Sequence, residues 1–324
     1  MAQVSCAVAP EKCRDTGPRA KAQSLHWSPN FRELERSGAH NSGVVGVPSN
    51  SSSSAAEQLK AETLIGIGLT SEVFTWGDRV LKLFLPWTDR ERAQREFMIS
   101  RAVCAMGVPM PTVFDLVQVG PRHGIIFSRV RGISMLGQVE ARPWKLFRAA
   151  RELAELHAGL HAYTAPPELP SQREQIEGWI RDAADFTEVQ KEAARQHAAR
   201  LPPGDSLCHG DFHPANILLS ERGPVIIDWS RATRGHPLAD VARTSVLFEV
   251  ASLPPTSPLH IRLLMKVARR LLHTTYLKRY LELRPGTLQE IEFWRVPQRT
   301  AASAWLAKRR AAMARAGIKS ADEA

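Results

Sequence analysis

Two apolar runs flank a cluster of polar residues near residue 210, and this arrangement restricts the chain to folds that carry a polar loop on a buried core. The segment 207–219 reads LCHGDFHPANILL, and the segment 225–228 reads VIID. Short apolar runs of this kind predict buried strands. The side chains of Asp211, Asn216 and Asp228 are therefore expected where the strands end, held beside the core.

Asp211, Asn216 and Asp228 have the side chains that phosphoryl transfer needs. The reaction requires a carboxylate that accepts the proton of the attacking hydroxyl, and oxygen ligands for the Mg²⁺ that bridges the phosphates. Asp211 suits the first role, and Asn216 and Asp228 suit the second. Each residue alone has an ordinary structural explanation, as a turn cap or as the end of a strand. Their order and their apolar flanks together favour catalysis.

The segment resembles the catalytic loop of the aminoglycoside phosphotransferase and choline kinase-like family, which reads HGDxxxxN. Its spacing is similar to the protein-kinase loop HRDxxxxN followed by the DFG aspartate. Gly210 in place of the arginine, and Trp229 after Asp228, point to the small-molecule branch of that superfamily. The resemblance covers about residues 62–310. It implies transfer of phosphate to a small hydroxylated substrate, with ATP and Mg²⁺ as cofactors and the three side chains in the roles given above.

The expected fold class is α+β, because strand patterns come first and helical patterns follow. By resemblance it is a two-lobed protein-kinase-like fold, with a small antiparallel β-sheet and one helix in the N-lobe and a larger, mainly helical C-lobe. The pattern predicts strands at 62–66, 72–76, 80–84, 113–119, 124–129, 217–219 and 225–227, a helix capped by Asp89 over 89–106, and helices from about 143 and over 237–250, 259–283 and 287–315.

Three segments are predicted along the chain. Residues 1–58 are rich in Ser, Pro, Gly and Asn and have no hydrophobic periodicity, so they are expected to form a disordered N-terminal extension. The N-lobe is expected over 59–130 and the C-lobe over 131–324.

A turn with few glycines is predicted between the first two strands. Gly66 and Gly68 lie in it, followed by Thr70 and Ser71. Backbone N–H groups of such a turn, and the hydroxyl of Thr70 or Ser71, have the chemistry to bind phosphates. An ordinary β-turn is the alternative for this segment.

The remaining nucleotide contacts are implied by the resemblance. Lys82 lies between apolar neighbours, where a lysine needs a partner, and by resemblance it contacts the α- and β-phosphates. Glu96 on the following helix is its expected ion-pair partner, with Glu91 as the competing choice. Ser128 and Val130 belong to the expected hinge between the lobes, whose backbone groups would bind adenine.

Two further residues receive structural roles from the resemblance. Asp240 matches an aspartate that braces the catalytic loop, and His209 matches a residue that orients it. Cys208 follows an apolar leucine, so we interpret it as a packing residue rather than a nucleophile.

The composition indicates the expected cellular location and which partners are not expected. The four cysteines show no CxxC spacing, which favours reduced thiols in a cytoplasmic protein. An apolar run of 18 residues is absent from the sequence, so no membrane span is expected. The net charge of +10 is scattered and lacks a nucleic-acid motif, so no specific nucleic-acid partner is expected. The sequence leaves the oligomeric state open.

Two alternatives to a small-molecule kinase stay open. A protein kinase needs a long activation segment, and only the eleven residues 229–239 separate Asp228 from Asp240. A catalytically inactive nucleotide-binding scaffold would not need all the polar residues that this chain retains. The acceptor, an antibiotic or a metabolite, is not identified by the sequence.

Overall fold

The computed structural model describes residues 59, 62–68, 70–183, 186–250 and 258–299. The predicted N-terminal extension over 1–58 lies outside these residues, and so does the predicted helix beyond residue 299.

An antiparallel sheet of five strands forms the first lobe, with the strand order β1-β2-β3-β5-β4. Short strand-like runs separated by turn residues predict these strands, and their observed ends differ from the predicted ones by two residues or fewer. Gly77, in the left-handed region at φ +60°, makes the tight turn between the second and third strands. The strands are β1 Leu64–Ile67, β2 Ser71–Trp76, β3 Arg79–Phe84, β4 Val113–Val119 and β5 Arg122–Ser128.

One helix, α1 (Arg90–Ala105), packs on this sheet. The Asp89 side chain caps it as predicted, accepting a hydrogen bond from the backbone N–H of Arg92 at 2.7 Å. Ala93 of the helix packs with Phe84 and Ile125 in a small apolar cluster. This packing fixes the face of α1 that is turned towards the central strand β3.

The second lobe is mainly helical. Its α3 helix buries the predicted apolar face, and it starts three residues later than expected because residues 143–145 form a 3₁₀ turn. The helices are α2 Met135–Ala141, α3 Leu146–Leu160, α4 Gln172–Arg181, α5 Glu188–Ala199, α6 Pro237–Val250 and α7 Leu259–Leu283, and residues 288–299 are also helical. None of the helices in the described part of the chain is long and apolar enough to cross a membrane.

Short strands carry the polar cluster inside the helical lobe. Three of them form an antiparallel sheet in the order β6-β8-β9, and β7 pairs with β10. The sequence predicted only β8 and β9. These strands are β6 Gly132–Ser134, β7 Ser206–Cys208, β8 Ile217–Ser220, β9 Gly223–Ile226 and β10 Thr233–Gly235. The expected α+β fold, with a sheet lobe and a helical lobe, is confirmed.

Candidate active site

The loop from β7 to β8 presents Asp211. Gly210, just before it, has a φ of +75°, and a Cβ atom there would lie 2.5 Å from the carbonyl oxygen of Arg231. A glycine is therefore needed for both reasons. The amide Nδ2 of Asn216 donates to the carbonyl oxygen of Asp211 at 2.9 Å, which holds the loop closed across a single 3₁₀ turn.

Asp228 follows β9 with a φ of +63°, and among the described residues it is the sole non-glycine residue with a positive φ. Aspartate tolerates this region better than most residues because its short polar side chain bonds locally. The backbone N–H of Ile227 donates to the carbonyl oxygen of Asn216 at 2.9 Å. This bond sets Asn216 and Asp228 side by side at the ends of neighbouring strands.

Lys82 of β3 joins the two lobes. Its Nζ lies 2.6 Å from Oε1 of Glu96 on α1 and 2.9 Å from Oδ1 of Asp228. Glu91, the alternative partner, is exposed and does not contact it. Burial by itself lowers the pKa of Lys82, but the carboxylates of Asp228 and Glu96 outweigh burial and raise it above its usual value. Lys82 is therefore a cation at neutral pH.

The same ion pair controls Asp228. Burial favours the protonated carboxyl, but the charge of Lys82 and its hydrogen bond outweigh burial and hold the pKa of Asp228 below its usual range. The side chain of Asp228 keeps 38% of its surface exposed, so a cation can approach it. A carboxylate is thus charged and accessible next to the lysine.

The donor set around Asp228 fits a magnesium ion. Asn216 uses its Nδ2 to hold the loop, and its Oδ1 accepts no hydrogen bond from the described residues. That oxygen and the carboxylate of Asp228 are the hard oxygen ligands that Mg²⁺ prefers, and Mg²⁺ commonly keeps several waters and phosphate oxygens beside one or two such ligands.

Asp240 holds the loop by hydrogen bonds to its backbone, in the role that the family resemblance implied. Its carboxylate accepts hydrogen bonds from the backbone N–H groups of His209 at 2.5 Å and Gly210 at 2.9 Å. The ring of His209 is fixed in turn, since its Nε2 donates to the carbonyl oxygen of Ile227 and its Nδ1 accepts from the backbone N–H of Asp211. The buried carboxylate of Asp240 is therefore one of the groups that fix the loop conformation.

Two buried histidines complete the brace, and the sequence analysis missed them. Nε2 of His157 lies 3.1 Å, and that of His161 3.4 Å, from Oδ2 of Asp240. Their Nδ1 atoms contact the hydroxyls of Tyr276 and Tyr280 at 2.6 and 2.7 Å. Each imidazole is satisfied on both sides, so we interpret the three side chains as a hydrogen-bond network, although their ligand atoms are close enough together to hold a metal ion.

Protonation states in this network follow from burial. Burial lowers the pKa of both imidazoles, that of His161 to about 3. For Asp240, burial alone would raise the pKa, but the hydrogen bonds of His157 and His161 outweigh it and keep the pKa well below its usual range. The signal for this network in the sequence was the pair of histidines one helical turn apart on an otherwise apolar face.

The predicted phosphate turn connects β1 and β2. The backbone N–H of Gly68 donates to the carbonyl oxygen of Ser71 at 2.7 Å, and Gly66 lies at a strand irregularity in β1. Ser71 is buried, whereas Thr70 is half-exposed. Of the two hydroxyls, that of Thr70 is the one open to a ligand.

The predicted hinge lies between the end of β5 and the start of β6. The backbone N–H and the hydroxyl of Ser128 are both hydrogen-bonded to Thr112. The N–H donates to the carbonyl oxygen of Thr112, and Oγ accepts from the N–H of that residue. The backbone N–H of Val130 makes no hydrogen bond to a described residue. Val130 is therefore the better candidate for contact with a base.

The sequence over residues 64–262 matches the family described as "APH: Phosphotransferase enzyme family". This chain belongs to that family. The matched range contains the Lys82–Asp228 ion pair, the loop with Asp211 and the brace by Asp240. Cys208 is fully buried, and burial raises the pKa of its thiol, which fits the packing role predicted for it.

Curated relatives of this chain are longer proteins. Acyl-CoA dehydrogenase family member 11 of Gallus gallus is 32% identical over 175 residues, which cover 47% of this chain and 22% of the relative. Acyl-CoA dehydrogenase family member 10 of Mus musculus is 27% identical over 184 residues, covering 50% of this chain and 17% of the relative. The chain thus matches less than a quarter of the length of these relatives.

Solved structures share the fold of this chain. Aminoglycoside phosphotransferase APH(4)-Ia superposes with a TM-score of 0.53 at 18% identity, over 82% of this chain and all of that one (100%). A thermostable mutant of that enzyme, in ternary complex with ADP and hygromycin B, gives a TM-score of 0.52 at 18% identity over 80% and 95%. Choline kinase LicA of Streptococcus pneumoniae gives 0.51 at 15% identity over 80% and 90%.

Proposed function

We propose that this protein transfers the γ-phosphate of ATP to a hydroxyl group of a small molecule. The observation that carries the proposal is the meeting of Lys82, Asp228 and Asn216 beside the loop of Asp211, held by hydrogen bonds between elements that are distant in the sequence. A cation, a pair of oxygen ligands and a carboxylate are the parts that phosphoryl transfer requires. A structural neighbour that binds ADP supports nucleotide use.

Each residue has one task in this proposal. Lys82 neutralises charge on the α- and β-phosphates, and Glu96 holds its ammonium in place. Asn216 and Asp228 would hold Mg²⁺, which supplies positive charge at the phosphate oxygens when bound. The turn of Gly66, Gly68, Thr70 and Ser71 would lie over the phosphates, with the hydroxyl of Thr70 open to them. At the hinge of Ser128 and Val130, the free backbone N–H of Val130 would contact adenine.

Asp211 would act as the catalytic base. The acceptor hydroxyl forms a new bond from its oxygen to the γ-phosphorus, while the bond between that phosphorus and the bridging oxygen of ADP breaks. The hydroxyl proton passes to the carboxylate of Asp211, which accepts no hydrogen bond from the described residues and is free for this role. The products are ADP and a phosphate monoester.

The short connection after Asp228 favours a small acceptor over a protein. Residues 229–239 are used by a turn, by β10 and by the start of α6, whose Asp240 already braces the loop. They leave no length for a separate activation segment. An inactive scaffold is disfavoured by the complete set of Lys82, Asp211, Asn216 and Asp228.

We further infer that the lobes divide near residue 130, because β5 ends at Ser128 and β6 begins at Gly132.

Both described cysteines, Cys104 and Cys208, are free thiols, in keeping with the cytoplasmic location predicted from the sequence.

A transfer assay tests the activity. The full chain is incubated with γ-labelled ATP, Mg²⁺ and a panel of hydroxylated metabolites, antibiotics and peptides, and labelled products are separated. A labelled phosphate monoester of a small molecule is the expected product. Label on peptides alone, or ATP binding without transfer to any member of a broad panel, would contradict the proposal.

A further inference from the structure

Arg243 lies on α6, one helical turn after the bracing Asp240, and its side chain is 1% exposed. None of its three guanidinium nitrogens, Nε, Nη1 and Nη2, has a hydrogen-bond partner among the described residues. Arginine is almost never fully buried unless it is paired, because leaving its donors unsatisfied is unfavourable.

The surroundings of Arg243 form a cationic corner. Its Cζ lies 4.9 Å from the ring centre of Trp179 on α4, and the Cζ of Arg231 lies 5.9 Å from the same ring. Burial and the charge of Arg231 lower the pKa of Arg243 to about 10, although Asp211 and Asp240 act in the opposite direction. The guanidinium is therefore charged at neutral pH.

This corner adjoins the proposed base. The carbonyl oxygen of Arg231 packs directly against Gly210, the residue before Asp211. The charge of Asp211 acts on Arg243, but no hydrogen bond joins the two side chains. An acceptor whose hydroxyl meets Asp211 would lie within the range of the Arg243 charge. A guanidinium carries five N–H donors in a planar fork, and two of them can bond to two oxygens of a carboxylate or a phosphate at the same time.

We propose that Arg243, stacked on Trp179, binds an anionic oxygen group of the acceptor, either a carboxylate or a phosphate. The acceptor class is then hydroxylated acids or phosphate esters, and not polycationic antibiotics, which the charge of Arg243 repels. This inference rests on the proposed phosphotransferase function, because it takes Asp211 as the position of the reacting hydroxyl.

Matched three-carbon probes test this specificity in the full chain saturated with Mg²⁺ and ADP. The probes are 3-hydroxypropionate, glycerol 3-phosphate, neutral 1,3-propanediol and cationic 3-aminopropanol, and binding is read from ligand-observed NMR titrations. Wild-type protein is expected to bind one or both anions more tightly than the other probes. Comparison of 3-hydroxypropionate with glycerol 3-phosphate shows whether the site prefers a carboxylate or a phosphate.

Three variants assign that preference to Arg243. Arg243→Met is expected to weaken anion binding by about 10- to 100-fold, since hydrogen bonds to charged groups are lost, and Arg243→Lys to retain part of it. Arg262→Gln removes the same charge from an exposed site on α7 and should change little. The thermal midpoint of Arg243→Met without ligand should not fall, because an uncompensated buried charge is removed.

Several results would overturn the inference. In the wild type, these are failure of both anions to bind, and binding of the cation that is as tight as that of the anions or tighter. In Arg243→Met, one is an equal loss of affinity for all probes. The other is a clearly lower thermal midpoint of that variant, which would make Arg243 a structural residue. A parallel titration with Mg–ATP distinguishes failure of this inference from failure of the proposed function. Loss of nucleotide binding in the wild type contradicts the function, whereas intact nucleotide binding without anion preference contradicts only the inference.

Discussion

The ammonium of Lys82 lies 2.9 Å from the carboxylate of Asp228, although 146 positions separate the two residues in the sequence. The pair connects the central strand of the sheet lobe to the end of β9 in the helical lobe, and Glu96 adds a second carboxylate at 2.6 Å. One lysine therefore balances two acids. If the proposed function holds, phosphates that bind there would compete with these carboxylates for the same cation.

Lys82→Met is expected to reduce turnover by about 10²–10³-fold, the usual cost of one preorganised electrostatic contact. It should also lower the free energy of unfolding by about 3–5 kcal/mol, because buried Glu96 loses its partner. Adding Glu96→Gln should restore part of the stability and none of the turnover. Chemical denaturation and transfer assays measure both, with exposed Lys266→Met as the control. Recovery of activity in the double variant would argue against a phosphate-binding role for Lys82.

Asp228→Asn should weaken Mg²⁺-dependent nucleotide binding by at least about 10–100-fold, because a charged oxygen ligand becomes neutral. Asparagine also tolerates a positive φ, so the fold should be kept. Asp228→Ala should cost a further ~1–2 kcal/mol of stability at φ +63°. Calorimetric titration of ATP with and without EDTA checks this, beside Asp78→Asn, whose side chain is 94% exposed. Equal EDTA sensitivity in Asp228→Asn and wild type would assign the metal to other ligands.

Asp211→Asn should reduce kcat by about 10²–10⁴-fold, the usual contribution of a positioned base. Mg–ATP affinity should stay within a few-fold of the wild-type value, since Asp211 is not needed to hold the metal. The measurement is kcat on the acceptor found by the transfer assay, with exposed Asp205→Asn as the matched control. A variant that turns over at the wild-type rate would mean that the base lies elsewhere, and simultaneous loss of ATP binding would make Asp211 a metal ligand.

Asp240→Asn should destabilise the protein by about 1–3 kcal/mol, the cost of leaving a buried donor unsatisfied. Asparagine offers one acceptor oxygen where the N–H groups of His209 and Gly210 use two. Activity should fall together with the order of the loop, which hydrogen exchange of the amides of residues 209–211 reports. Unchanged protection of these amides would show that the loop holds its shape without the brace.

The buried histidines predict loss of stability in acid. Burial lowers the pKa of His161 from 6.5 to about 3, so between these values the unfolded chain binds a proton that the folded chain does not. Stability should therefore fall as the pH falls from 6.5 towards 3, with this histidine contributing about 1.4 kcal/mol per pH unit.

His161→Gln should reduce that slope, measured by urea denaturation between about pH 4 and pH 6. Exposed His260→Gln is the control and should leave the slope unchanged. An identical slope in His161→Gln and wild type would show that His161 is not the buried titrating group.

The sequence predicted the elements that local patterns control. Short strand-like runs separated by turn residues indicated β1 to β5, and a capping aspartate indicated the start of α1. Helices α6 and α7 were predicted at their observed ends. The three-residue strands β6, β7 and β10 were missed, because strands this short are stabilised by their partners and leave little periodicity of their own.

The polar loop with Asp211, Asn216 and Asp228 was visible in the sequence because glycine, aspartate and asparagine at fixed spacing carry their chemistry locally. Only the tertiary structure decided that Lys82 contacts Glu96 rather than Glu91, that His157 and His161 join Asp240, and that Arg243 is buried without a partner beside the loop. The physical reason is that burial and the pairing of charges depend on which distant elements pack together. The sequence determined which groups are present, and packing decided which of them are neutralised and which remain free to bind.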